Sequence, residues 1–325
     1  MPVRSTQNRQ LSLRPMKVHF DIEKLPAFTR AVITIGTFDG VHNGHRQVLA
    51  KLTERAKEVG GESVIVTFHP HPRKVVTSAI LGIRLLNTLE ERLKLLSELS
   101  VDHVVVVPFT DAFANLTADQ YISDFLVKRF NPHTIITGYD HQFGRDRSGN
   151  FQLLEKMAAN HGYRLEEIPK HVLEHISISS TRIREALLQS EIEKANLLLG
   201  YPFFFSGIVV HGNKIGRTIG YPTANLRIED AEKLVPGNGI YAVYAQPHHY
   251  DRALKGMMSI GFRPTVDGKN RVIEVNLFDF DEDIYDQLLT VHVHHHLRSE
   301  KKFENLPALV EQLHVDKANS QQLLL

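Results

Sequence analysis

The sequence predicts two folded parts in series: an α/β unit built on an open parallel sheet, then a small antiparallel β-barrel. Three observations carry this. At 325 residues, 42% of them hydrophobic, the chain is long enough for two domains and two cores. Up to about residue 185, short β-branched runs alternate with stretches of helical spacing, the pattern of parallel strands covered by helices. After Pro202, β segments punctuated by glycine and proline follow one another, the pattern of a small barrel.

Taken in order, residues 1–15 stand apart. Arg4, Arg9 and Arg14 lie among Ser, Thr, Gln and Asn, and the first acid is Asp21. This reads as a short disordered tail; a transit-like leader, or a true start at Met16, are the alternatives. Ala31-Val32-Ile33-Thr34-Ile35 predicts a buried strand, and Arg46 to Leu52 restores helical spacing. Further strands are predicted at 63–68, 104–107 and 134–137. Helices are predicted at 88–99, with Thr88 as N-cap, and at 118–130 and 151–161. Residues 186–200 read as a helical linker between a domain at 16–185 and a second at 201–325. In the second, β segments are expected at 203–211, 240–245, 256–260, 272–280 and 288–297, with a closing helix at 304–315.

Composition excludes several classes of function. A net charge of +1 gives no electrostatic argument for nucleic acid or an anionic membrane. With no cysteine there is no disulfide, thiolate or Cys-ligated metal, which suits a reducing cytoplasm. No apolar run reaches transmembrane length.

The richest stretch is Gly36-Thr37-Phe38-Asp39-Gly40-Val41-His42-Asn43-Gly44-His45. A strand feeds a glycine turn that opens onto a helix N-terminus, where free N–H groups and the helix dipole attract phosphate. His42 and His45 sit in that turn and can donate to a phosphate oxygen as charge builds there. The bland alternative is a turn with two exposed histidines. His69-Pro70-His71-Pro72 ends the next strand, and the loop Gly138 to Gly149 mixes glycines, Arg145, Arg147 and Phe143. Ser179, Ser180 and Thr181 precede a helix bearing Arg182 and Arg184, which suits either a plain N-cap or a triphosphate. In the second domain, Gly207 to Asn225 packs Gly212, Gly216 and Gly220 around Arg217, and Thr223 and Asn225 offer oxygen ligands suited to Mg²⁺. Glu274 sits between apolar neighbours and can act as a general base, although periodicity alone reads it as outward-facing. The alternating His292, His294 and His296 read as an exposed edge face rather than a metal pocket. Asp279 to Asp283 reads as a polar hairpin turn.

With these residues named, the sequence from about Met16 to Asp316 resembles the prokaryotic bifunctional riboflavin kinase/FAD synthetases. Gly36 to His45 looks like that family's His-x-Gly-His motif, Thr67 to Pro72 like its second motif and Ile178 to Arg184 like its third. Gly216 to Asn225 matches Gly-Arg-x-x-Gly-x-Pro-Thr-Ala-Asn. Asn238 to Tyr241, Gly261 to Thr265 and Leu297 to Phe303 add further matches. The resemblance implies a Rossmann-like nucleotidyltransferase domain and a β-barrel kinase domain. It implies that riboflavin is phosphorylated to FMN with ATP and Mg²⁺, and that FMN is adenylylated to FAD.

By the same resemblance, Gly36, Phe38, Asp39, Gly44, Ser179, Ser180, Thr181 and Arg184 would face one ATP, and Phe68, Pro70, Asp140 and Phe143 the flavin beside it. Gly212, Gly216, Arg217, Gly220 and Pro222 would face the kinase ATP, and Arg298 and Phe303 the kinase flavin. His42, His45 and Glu274 would be catalytic. The protein would work on small molecules, without nucleic acid or membrane, as a monomer or weak homo-oligomer in the cytoplasm. His141, Asn276 and Ser259 depart from the family pattern, which has Phe, His and Asn at those points. Two other classes compete: a nucleotidyltransferase for another phosphate, and a flavin-binding regulator without activity. The kinase-like second domain argues against the first, and the intact His42, His45, Thr223, Asn225 and Glu274 against the second.

Overall fold

The structure, a computed structural model, describes residues 15–76, 84–138, 141–168, 179–212, 215–265 and 268–324. The described residues fall into two compact units. The first holds residues 15–38, 45–76 and 93–168, and the second 39–44, 84–92 and 179–324.

The first unit is built on a six-stranded parallel sheet in the order β1–β4–β3–β2–β5–β6. Its strands are β1 (Lys17–His19), β2 (Val32–Ile35), β3 (Ser63–His69), β4 (His103–Pro108), β5 (Thr134–Gly138) and β6 (Arg164–Ile168). The expected strands are all present. β1 and β6 are additional, and both are edge strands of mixed polarity. The central strands are apolar nearly throughout because helices cover both faces of a parallel sheet. Ile33, Val64, Val66 and Val105 pack there with Ile122, Phe125 and Phe130. The last three come from a helical stretch at 118–130 whose middle, Tyr121–Val127, is π-helical. Strand order reverses between β2 and β5, so the loops leaving β2 and β5 open at the topological switch point, where such sheets bind ligands. Helix α1 (Asn43–Val59) follows β2, and α2 (Leu89–Ser97) begins where Thr88 and Glu91 form a reciprocal capping box. Helix α3 (Phe151–His161) is capped by Asn150 and ends at Gly162.

The second unit contains a closed antiparallel barrel in the order β10–β11–β8–β7–β12–β9. Its strands are β7 (Phe203–Val210), β8 (Ala224–Arg227), β9 (Gly239–Pro247), β10 (Leu254–Thr265), β11 (Gly268–Leu277) and β12 (Leu288–Arg298). Alternate residues fill the interior: Phe203 and Phe205 from β7, Tyr241 and Val243 from β9, Ile273 and Val275 from β11, Val291 and Val293 from β12. The barrel has six strands where five were expected. The sixth, β8, is a short strand that starts at the end of the glycine-rich stretch.

Other expectations are corrected. The linker at 186–200 is not one helix but the end of α4 (Ser180–Leu188) and then α5 (Ile192–Leu199), broken where Ser190 takes a left-handed φ of 62°. Residues 279–283 do not turn a hairpin, because β11 and β12 are not neighbours in the barrel. The histidine row is not an exposed edge: β12 is paired on one side to β7 and on the other to β9. His292 stacks on Phe204 and His294 meets Tyr244 edge-on, and burial lowers the pKa of His294. The closing helix α6 runs from Leu306 to Leu323, longer than expected, and Leu306 is half exposed. The helix buries Asp316 and Ser320.

The expected domain boundary near 185 and the two compact units divide the chain differently. Residues 39–44 and 84–92 belong with the later part of the chain because backbone and side-chain bonds tie them to it. Leu85 N–H donates to the Glu232 carbonyl at 2.7 Å, and Asn43 Nδ2 to the Leu197 carbonyl at 3.0 Å.

Candidate active sites

In the first unit, β2 ends at Ile35. Phe38 follows with a φ of 50°, held by burial (3% exposed), and its ring meets His45 edge-on at 5.2 Å. Thr67 Oγ1 donates to the Thr37 carbonyl at 3.2 Å. Two residues expected to face a flavin are packed into the core of this unit. Phe68 lies edge-on to Phe109, and Phe143 stacks on Tyr121 at 4.9 Å. His141 in turn stacks on Phe143 at 5.6 Å, so the departure from Phe keeps an aromatic ring there. Pro70 is half-buried just past β3. Asp140 lies outside the described residues, as do residues 1–14 of the expected tail.

In the second unit, residues 39–44 form a loop fixed by its own anchors. Gly40 has a φ of +91°, and a Cβ there would meet the Leu86 side chain at 2.6 Å, so only glycine fits. Val41, β-branched and fully buried, takes a φ of 36°. Such strain persists only where the surroundings hold it. Asp39 supplies much of that hold. Its Oδ1 accepts from Leu86 N–H at 3.0 Å and Asn87 N–H at 3.2 Å, and Arg184 pairs with Oδ2. Arg184 Nε also donates to the Arg84 carbonyl at 2.7 Å. Ser180 Oγ donates to the Asp39 carbonyl at 2.9 Å, and Tyr201 Oη to the Gly40 carbonyl at 2.5 Å. Ser179 caps α4, accepting from Arg182 N–H at 3.3 Å. Thr181 is exposed at the start of that helix. The structure therefore brings Asp39, His42, Ser180 and Arg184 together, with Asp39 as the hub. Gly44 packs against the His42 ring.

His42 is 5% exposed. Burial pushes its imidazole pKa down to about 4, with Asp39 opposing the shift and Arg184 adding to it. At neutral pH the ring is uncharged and carries a single N–H. Because the folded pKa lies below the usual 6.5, the unfolded chain binds a proton between about pH 6.5 and pH 4 that the folded protein refuses. Stability is expected to fall with pH across that window, by up to roughly 3 kcal/mol from this group. Thermal melts of the wild type and His42→Gln between pH 7 and pH 4 test this. The variant should lose less stability on acidification, and equal losses would exclude the assignment.

The second constellation lies on the outer face of the barrel. Ile273, Val275 and Leu277 point into the barrel core, so Glu274 and Asn276 point out. That outward face is roofed, not bare. It forms one wall of a cavity of about 350 Å³, whose lining includes Thr223, Glu274, Phe303, Leu309 and Leu313. In register, Glu274 lies between Ser259 on β10 and Asn225 on β8. Thr223 Oγ1 donates to Glu274 Oε1 at 3.4 Å. Asn276 Nδ2 donates to the Pro222 carbonyl at 2.7 Å, which fixes the residue before Thr223. A Cβ at Gly212 would run into the Asn225 amide, so the absence of a side chain makes the space that Asn225 fills. The Thr223 hydroxyl and the Asn225 amide oxygen are hard-oxygen donors that fit Mg²⁺, with the Glu274 carboxylate beside them.

Among the expected ATP contacts, Gly216 packs against the Tyr221 carbonyl and Gly220 takes a φ of +81°. Arg217 is exposed on the helical turn Ile215–Thr218, and Pro222 is exposed. Arg298, expected to face the flavin, lines that cavity and pairs with Asp316. Its Nε donates to Asp316 Oδ1 at 3.0 Å and its Nη2 to Oδ2 at 2.7 Å, which ties β12 to α6 beside the cavity. Its guanidinium also lies 5.7 Å from the centre of the Phe303 ring. Sequence reasoning missed Asn276 as a prop for the Pro222–Thr223 turn, and missed Leu86 and Asn87, whose backbone N–H groups carry no side-chain signal.

A parallel sheet followed by a His-x-Gly-His loop, in one chain with a closed barrel bearing an acid beside hard-oxygen donors, defines a nucleotide-dependent transferase with two kinds of site. Residues 25–182 match the family described as FAD synthetase and residues 199–324 the family described as riboflavin kinase. Proteins named bifunctional riboflavin kinase/FMN adenylyltransferase are similar over most of their length. The one from Escherichia coli strain K12 is 37% identical over 90% of this chain and 92% of that protein. The one from Bacillus subtilis strain 168 is 35% identical over 89% and 90%. A crystal structure named for a macrolide-efflux protein from Streptococcus pneumoniae is 29% identical, with a TM-score of 0.81 over 95% of this chain and 99% of that one. The chain belongs to the bifunctional riboflavin kinase/FMN adenylyltransferase family.

Proposed function

We propose that the chain converts riboflavin to FMN and FMN to FAD, with residues 201–325 carrying the kinase and residues 16–185 the adenylyltransferase. The observation that carries this reading is that each family match falls on its own set of candidate site residues, the first on His42 and His45, the second on Thr223, Asn225 and Glu274.

In the kinase step, the terminal ribityl oxygen of riboflavin attacks the γ-phosphorus of ATP, its proton passes to the Glu274 carboxylate, and ADP leaves. Thr223 and Asn225 would hold Mg²⁺, which when bound offsets phosphate charge. Asn276 keeps the Pro222–Thr223 turn in place through the Pro222 carbonyl. In the second step an FMN phosphate oxygen attacks the α-phosphorus of ATP. The new P–O bond forms as the bond to the β-phosphate breaks and pyrophosphate leaves. His42 and His45 donate to the transferring group, and Arg184, Ser180 and Thr181 serve the departing side. The substrate phosphate is itself the nucleophile, so no side chain needs to be one.

The net charge of +1 supports small molecules over nucleic acid or an anionic membrane as partners, and the cysteine-free sequence supports a cytoplasmic setting. Incubation with riboflavin, ATP and Mg²⁺, followed by separation of the flavins, tests the reading. FMN should appear first and FAD after it. FMN without FAD would overturn the adenylyltransferase assignment; no change in riboflavin would overturn the kinase assignment, and absence of FAD from supplied FMN and ATP would then overturn the other.

A further inference from the structure

The second unit holds a fully buried lysine that neither reaction uses. Lys233 is 2% exposed. An ammonium has three N–H donors, and here all three are taken: by the Leu86 carbonyl at 2.6 Å, the Phe204 carbonyl at 2.9 Å and the Glu91 carboxylate. The rings of Phe203 and Phe204 lie 4.8 and 5.6 Å from the charge. Burying such a pair costs enough that apolar residues would serve as well or better for filling space. Joining the two chain segments does not require it either. Leu85 N–H already bonds the Glu232 carbonyl, and Leu234 N–H the Leu85 carbonyl, at 2.7 and 2.8 Å.

What the lysine adds is direction. The peptide group between Leu86 and Asn87 is gripped on both sides. Its carbonyl accepts from Lys233, and its N–H, that of Asn87, donates to Asp39 Oδ1 at 3.2 Å. The cation at the carbonyl polarises that N–H toward the carboxylate. Leu86 N–H reaches the same carboxylate oxygen. Asp39 in turn anchors the loop through Gly40 and Val41 to His42. All of these residues lie in one compact unit.

We propose that Lys233 is a positioning residue for adenylyl transfer: through the Leu86–Asn87 peptide group it sets Asp39, and so the His42 loop. The inference rests on the assignment of adenylylation to that loop. It means that a residue in the kinase part of the sequence serves the other reaction.

Full-length Lys233→Met keeps the stem and removes the three donors. FMN adenylylation and riboflavin phosphorylation are then measured separately on one preparation. The kcat for adenylylation should fall about tenfold, a modest share of what misplacing a reacting group can cost. KM for FMN and both kinase constants should stay within about twofold. A second variant, Glu91→Gln with Lys233→Met, leaves no unpaired buried carboxylate and should show the same split if the single variant folds poorly. Added to Asp39→Asn, Lys233→Met should cause little further loss, because both act through one anchor, whereas independent damage multiplies. The inference is overturned if both activities fall together in both variants, if adenylylation is unchanged, or if the losses multiply. If Asp39→Asn and His42→Ala leave adenylylation at the wild-type rate, the loop assignment itself is wrong, a result distinct from a failure of Lys233 alone.

Discussion

Glu274→Gln is expected to lower riboflavin phosphorylation by about 100- to 10,000-fold, the usual worth of general acid–base catalysis. The substitution keeps the shape of the side chain and its ability to accept from Thr223 Oγ1, and removes only the basic carboxylate. Packing should survive, since Glu274 points away from the barrel core, which Ile273 and Val275 fill. The loss should therefore appear in kcat, with the apparent affinities for riboflavin and ATP little changed, because a base acts mainly in the transition state. FAD formation from supplied FMN should continue at the wild-type rate. Steady-state rates with each substrate, on the same preparation, check all three statements. Normal phosphorylation by the variant would reduce Glu274 to a strand residue.

How legible this was in the sequence differs from residue to residue. Strands such as Val32–Ile35 and Ser63–His69 were readable because a central parallel strand is apolar on both faces. β6, Arg-Leu-Glu-Glu-Ile, was not, because an edge strand is only partly covered and its composition resembles a solvated loop. β8 was hidden at the end of a stretch whose glycines read as a phosphate loop; Ala224 to Arg227 is too short to show an alternation. Periodicity placed Glu274 on the outer face correctly. That this face is roofed depends on α6 and on residues 216–223, which no local pattern reveals. The histidines of β12 were misread as an edge because closure of a barrel is a property of six strands together, not of one. Asp39 was legible as part of a motif but not as a hub, since its partners are two backbone N–H groups and an arginine far along the chain. Lys233 gave no signal at all: Glu-Lys-Leu reads as surface, and only the fold buries it.

Replacing both His42 and His45 by Ala is expected to lower FAD formation from FMN by at least about 100- to 1,000-fold, the loss that follows removal of a single preorganised donor to a developing anion. His42 is suited to that role by its burial. Burial holds the ring neutral, with a pKa of about 4, and a phosphate anion beside it favours the protonated form, in which both ring nitrogens donate. In so dry a setting a hydrogen bond to accumulating charge is also worth more than it is in water. The edge-on contact of the Phe38 ring with His45 restricts the second imidazole. Riboflavin phosphorylation should persist in the double variant, so FMN should accumulate where the wild type makes FAD. A simple packing defect is distinguished by His42→Gln, which fills much of the space and restores an N–H donor. It should recover part of the lost rate, whereas His42→Ala should not. FAD production at the wild-type rate by the double variant would make both histidines structural, and loss of FMN production together with FAD production would mean that the substitutions had damaged the fold and not the chemistry.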